Sequence, residues 1–179
     1  MNALIAVTNA AVRAAHWHSD QRRKGAAKEP YVNHLLEVAA LVAEATGGDD
    51  TNLVIAALLH DTVEDQDVGR ATIAEEFGED VASLVMEVTD DKSLPKARRK
   101  ELQVENAPHK SPRAALLKLA DKTSNLAALA SSPPAGWSAQ RRADYVQWAR
   151  KVVAGLPADN AFLHERFARA ADAADLASA

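Results

Sequence analysis

Ala56-Ala57-Leu58-Leu59-His60-Asp61-Thr62-Val63-Glu64-Asp65 joins an apolar run to a His-Asp pair, with two carboxylates close behind. In a continuous helix Glu64 falls four residues after His60 and Asp65 four after Asp61, so the four groups share one face. Leu58 and Leu59 belong in a core, and charge beside them is costly unless it is paired or bound to a metal. Two readings stand on the decapeptide alone. Either imidazole nitrogen and carboxylate oxygen hold a divalent cation, or a helix ends here and its acids leave the core for water.

The rest of the chain sets the context. Its 179 residues suit one domain, 1–179, and 47% are apolar but only 4% aromatic, so Ala, Leu and Val must build the core. Those residues favour closely packed helices over sheet, and the expected class is all-α. The absence of cysteine excludes disulfides and thiolate ligands and fits a reducing cytoplasm. No apolar run approaches the roughly 20 residues of a membrane span. The N-terminus lacks the basic-then-apolar pattern of a signal peptide, so a cytoplasmic location is expected. A net charge of −4 argues against nucleic acid as a partner. A phosphate-rich ligand would have to meet a local basic patch.

Residues 2 to 18 read as an amphipathic helix with Leu4, Val7, Ala11 and Ala15 on its inner face, a solvent-facing His16 and an undecided His18. Gln21-Arg22-Arg23-Lys24-Gly25 follows as a basic loop, to be read as solvated or as phosphate-receiving. The helix from Tyr31 carries His34 at its mouth and Leu35, Val38, Ala39, Val42 and Ala45 on its core stripe. Gly47-Gly48 stops it, and Asp49-Asp50-Thr51 caps the helix that reaches His60. Short helices are expected over 72–77 and 79–89, and a basic first turn follows Lys96. His109 belongs to a prolyl loop. Asp121 lies in an apolar helical pattern, with Asn125 four residues on. Arg141, Tyr145, Trp148 and Val152 form one stripe, with Trp148 expected in the core. An Ala-rich amphipathic helix closes the chain over 159–179.

Five ordered motifs carry a resemblance. They are Gln21-Arg22-Arg23-Lys24, Pro30-Tyr31-Val32-Asn33-His34, Ala57 to Asp65, Glu87-Val88-Thr89-Asp90-Asp91-Lys92 and Lys118-Leu119-Ala120-Asp121-Lys122. Together the chain resembles the stand-alone RelA/SpoT-homologue hydrolases, which are small HD-type phosphohydrolases, over most of its length. The resemblance implies an all-α HD bundle in which His34, His60, Asp61 and Asp121 hold one divalent cation, Mn²⁺. It makes Glu64 and Asp65 the acid-base residues. It also implies substrate contacts from Arg23, Lys24 and Lys96 and from Arg141 and Tyr145, while Asn125 reads either as a core amide with buried partners or as a contact to a ribose or base. Two positions depart from the family: Leu35 stands where proline is usual, and Ser124 where an aromatic is usual.

The activity implied is removal of pyrophosphate from the 3′ position of guanosine tetra- or pentaphosphate, giving GDP or GTP. The partner would thus be a small nucleotide, with neither membrane nor nucleic acid and no implied oligomeric state. No synthetase or regulatory domain is expected in the chain. Two other readings remain at this point: a phosphatase for another phosphorylated nucleotide such as NADPH, or a non-catalytic alarmone-binding HD protein.

Overall fold

The computed structural model describes residues 2–178, and helices supply all its regular elements. Two compact units are distinguishable. One runs to Gln21 and resumes over Pro30–Leu94; the other takes Arg22–Glu29 and the chain from Pro95 onward.

In the first unit the order is α1 (Ala3–Trp17), α2 (Val32–Ala45), α3 (Thr51–Leu59), α4 (Thr62–Asp65), α5 (Arg70–Phe77) and α6 (Glu79–Val88). α3 is apolar on every side, and every residue from Leu53 to Leu59 is buried. Such a helix is stable only when surrounded, and α1, α2 and α6 all pack against it. The Asp50 side chain caps it by accepting from the Leu53 amide at 3.0 Å. Positive φ angles at Gly47 (63°) and Gly48 (78°) turn the chain out of α2 beforehand.

The second unit is organised around α8 (Pro112–Ser131), the longest helix, with α7 (Lys96–Asn106), a 3₁₀ turn at Ala107–His109, α9 (Ala139–Gly155) and α10 (Ala161–Leu176). α8 starts as its sequence dictates, with Ser111 as cap and Pro112 in the first turn. α10 lies along α8 and buries Leu163, Phe167, Ala171 and Ala174. The residue at the end of the expected closing helix, Ala179, lies outside the described residues. The loop 22–29 belongs to this unit through Ser132. The Ala27 amide donates to Ser132 Oγ at 3.2 Å, and a side chain at Gly25 would collide with Ser132 oxygens. No helix among the described residues is long and apolar enough to cross a membrane.

Three expectations need correction. α1 buries Ala10 and Ala14, not the face of Leu4, which is 72% exposed. The two faces lie about one residue apart in helical phase, and the small side chains let α1 approach α3 closely. The helix through His60 is not continuous: α3 stops at Leu59 and α4 restarts at Thr62. Trp148 is half-buried, not core, because the apolar side of α9 is Val146, Ala149, Val152 and Val153.

Candidate active site

The first unit gathers two imidazoles around one carboxylate. His34 is buried in the first turn of α2, and His60 is buried at the end of α3. Their Nε2 atoms lie 3.6 Å and 3.1 Å from Asp61 Oδ2, and their rings meet edge to face. His60 Nδ1 donates to the Ala57 carbonyl at 2.8 Å, so Nε2 is the ring atom that faces the carboxylate and carries the lone pair when the ring is neutral. A nitrogen this close to an anionic oxygen is favourable with a proton or a metal cation between them. The 3.1 Å spacing is also close to the roughly 3 Å expected between neighbouring ligand atoms that each lie about 2.1 Å from one ion. Tyr31 Oη donates to Asp61 Oδ2 at 2.6 Å, so the carboxylate is oriented from outside the pair of imidazoles.

Glu64 and Asp65 stand on α4 with different surroundings. Burial pushes the Glu64 carboxyl above the usual range, and the charges of Asp61, Asp90 and Asp65 push it further, against a 3.3 Å bond from the Asp90 amide. Asp65 Oδ2 accepts from Gln21 Nε2 at 2.7 Å, and its Oδ1 forms an ion pair with Lys92.

The second unit holds Asp121 and the basic residues. Asp121 is buried on α8; it pairs with Lys122 Nζ at 3.0 Å and accepts from Asn125 Nδ2 at 2.6 Å. Asn125 Oδ1 lies 3.4 Å from Arg23 Nη1, so loop and helix are linked through one amide. Ser124 is buried in the body of α8, so its side chain presents no surface. Lys96 lies among like charges: loss of hydration, then Lys24, Arg141 and Arg99, lowers its pKa.

Lys100 and Lys122 join this cluster, although neither was expected as a substrate contact. Burial, then Lys96, Lys122 and Arg141, lowers Lys100 in the same way. Trp148 lies beneath both, with Lys100 Nζ 4.5 Å and Lys122 Nζ 4.7 Å from its ring centroid, and its Nε1 donates to the Lys100 carbonyl. Tyr145 packs between Trp137 and Trp148, and Arg141 lies over Trp137. Cations brought this close together suit a multiply charged anion.

The donor types also suit a divalent ion: buried His34 and His60 in the first unit offer imidazole nitrogen, and buried Asp121 in the second offers carboxylate oxygen. His18, Gln21, Tyr31, Gln66 and Lys92 complete the polar surroundings of α4. Their roles depend on approaches between distant residues, which spacing does not encode. Lys122 alone carried a local signal, as a charge next to Asp121 in an apolar helix.

A model of the HD domain matches residues 10–156. The chain is 51% identical over 157 residues to the guanosine-3′,5′-bis(diphosphate) 3′-pyrophosphohydrolase MESH1 of Xenopus tropicalis, covering 88% of each chain. It is 50% identical over 152 residues to the Homo sapiens protein of the same name, covering 85% of each. A solved structure described as a metazoan ortholog of SpoT that hydrolyzes ppGpp and plays a role in starvation responses matches with a TM-score of 0.88. Its identity is 44%, over 92% of this chain and 93% of that one.

Proposed function

Because the chain belongs to the HD-domain family of guanosine-3′,5′-bis(diphosphate) 3′-pyrophosphohydrolases, we propose that it hydrolyses the 3′-pyrophosphate of guanosine tetra- and pentaphosphate to GDP or GTP. The observation that carries this reading is the convergence of two buried imidazole nitrogens on Asp61 in a chain half identical to such hydrolases.

In this reading the chain acts as one HD-type domain, and His34, His60, Asp61 and Asp121 hold a single divalent cation. Imidazole and carboxylate donors accept Mn²⁺, Fe²⁺, Co²⁺ or Zn²⁺, and we assign Mn²⁺. When bound, such a cation makes water acidic enough to attack near neutral pH and offsets charge on the phosphate oxygens. Water adds to the phosphorus attached to the 3′ oxygen, and the bond from that phosphorus to the 3′ oxygen breaks. A Glu64 oxygen takes the proton lost by water and returns it to the departing 3′ oxygen. Burial and the neighbouring carboxylates raise its pKa, which favours holding that proton between the two transfers. Asp65, held by Gln21 and Lys92, orients the attacking water. Arg23, Lys24, Lys96 and Arg141 receive the phosphates. Tyr145 offers a ring to the base, and the Asn125 amide meets the nucleoside.

The test is direct. Purified protein loaded with Mn²⁺ should release pyrophosphate and GDP from guanosine tetraphosphate, and a chelator should stop it. NADPH assayed in parallel identifies the other nucleotide reading if it is the faster substrate. Binding of guanosine tetraphosphate without turnover would identify the non-catalytic one.

A further inference from the structure

The polar residues around α4 form a chain whose orientation can be read donor by donor. Gln21 Nε2 donates to Asp65 Oδ2 at 2.7 Å. On the other side of the same amide, Gln21 Oε1 accepts from Gln66 Nε2 at 3.0 Å and touches the His18 ring at Nδ1. A flipped amide would place an oxygen against the Asp65 carboxylate and an NH₂ against that of Gln66, so only one orientation serves. With Nδ1–H donating to Gln21, His18 Nε2 accepts from Thr62 Oγ1 at 3.3 Å. His18 is itself fixed: it is buried and stacked on Tyr31 at 5.5 Å with an interplanar angle of 17°. The Gln21 backbone is bonded at both ends, its amide to the His18 carbonyl and its carbonyl to the Tyr31 amide. A glutamine that served only to fill space would not need both ends of its amide engaged.

We propose that Gln21 is a positioning residue for the hydrolysis, fixing the Asp65 carboxylate through a hydrogen bond that His18 and Gln66 orient. The proposal rests on the reading of Asp65 as the group that orients water. Lys92 grips the other carboxylate oxygen but is an exposed, flexible side chain. Gln21 is braced by its neighbours and so sets the angle at which Asp65 faces the water.

Gln21→Met keeps length and packing but removes both ends of the amide. In the Mn²⁺-loaded enzyme acting on guanosine tetraphosphate, it should lower kcat roughly ten- to hundredfold, as expected when a reacting group is slightly misplaced. KM and bound manganese should stay within about twofold of wild type. Asp65→Asn and the double variant are measured in parallel. The expected result is that Gln21→Met costs little more once Asp65 has been changed, because its effect passes through that carboxylate. Wild-type turnover in Asp65→Asn would overturn the Asp65 reading and this proposal with it. A slow Asp65→Asn beside a Gln21→Met of wild-type kcat, or two losses that multiply, would overturn this proposal alone. If Gln21→Met does not fold, Gln21→Glu replaces the donor with an anion facing Asp65. It should show the same kcat loss at unchanged KM, and wild-type turnover there would equally refute the proposal.

Discussion

Removing one oxygen from Tyr31 isolates the bond that orients Asp61. In Tyr31→Phe the ring remains, and with it the stacking on His18 and the edge contact with His34. The 2.6 Å bond from the hydroxyl to Asp61 Oδ2 is lost. A hydrogen bond to a charged group contributes about 1.5–3 kcal/mol, or roughly ten- to hundredfold in an equilibrium constant. The Asp61 side chain keeps 19% of its accessible surface, so water replaces the hydroxyl in part and the lower end applies. The expected outcome is a Mn²⁺ affinity about tenfold weaker, within the range seen when partners of metal ligands are removed. Competition titration against a chelating indicator measures it. Turnover at saturating Mn²⁺ should return to within a few-fold of wild type, because the hydroxyl acts on the ligand and not on the substrate. An affinity within twofold of wild type would show that Asp61 needs no such support and would refute the reasoning.

Other changes separate the remaining roles. Asp121→Ala should lower bound metal in elemental analysis while the protein stays folded; unchanged metal content would remove Asp121 from the ligand set. Glu64→Gln should keep its metal and reduce turnover roughly 10²-fold, the usual loss for a positioned general base. The same variant should melt higher than wild type at pH 7 when both are metal-free. Folding raises the Glu64 pKa, so its contribution is fully present below the ordinary carboxylate range near about pH 4 and is lost as pH rises through the folded value. The two melting curves should therefore converge in acid. Arg23→Ala should leave stability within about 0.5 kcal/mol but reduce kcat/KM roughly ten- to hundredfold. Added salt should weaken the wild type more than this variant, and equal kcat/KM at low salt would return the loop to solvent.

What the sequence made legible was the local part of the design. The apolar run 53–59, the Asp50 cap and the Gly47-Gly48 stop each depend on neighbours within a few positions, and each lies where it was expected. The His60-Asp61 pair was legible as a motif, but the helix break between Leu59 and Thr62 was not. Helical propensity continues through Thr62-Val63-Glu64, and only the Nδ1 bond to Ala57 reveals the turn. The α1 face was misjudged because Ala-rich stripes one residue apart differ little in hydrophobicity, so packing against α3 decides between them. Gln21 reaches Asp65 across 44 residues, and the cation–ring cluster draws Lys100, Lys122 and Trp148 from three helices. Such meetings are properties of packing and leave no periodic trace.

The docking of loop 22–29 on Ser132 has a temporal side. The Ala27–Ser132 bond spans 105 residues, and synthesis at about 5–20 residues per second separates the two partners by roughly 5–20 s. During that interval Arg23 and Lys24 have emerged but the surface that receives them has not been made. The loop is thus made well before the surface on which it settles, while α3 and its neighbours can assemble as soon as α6 is complete. A chain halted before Ser132 would carry the imidazole pair and the loop's cations, yet have nothing on which to seat those cations. Gly25 lets the late docking close without a side chain in the way, so any larger residue there would penalise the final step of assembly more than the early ones.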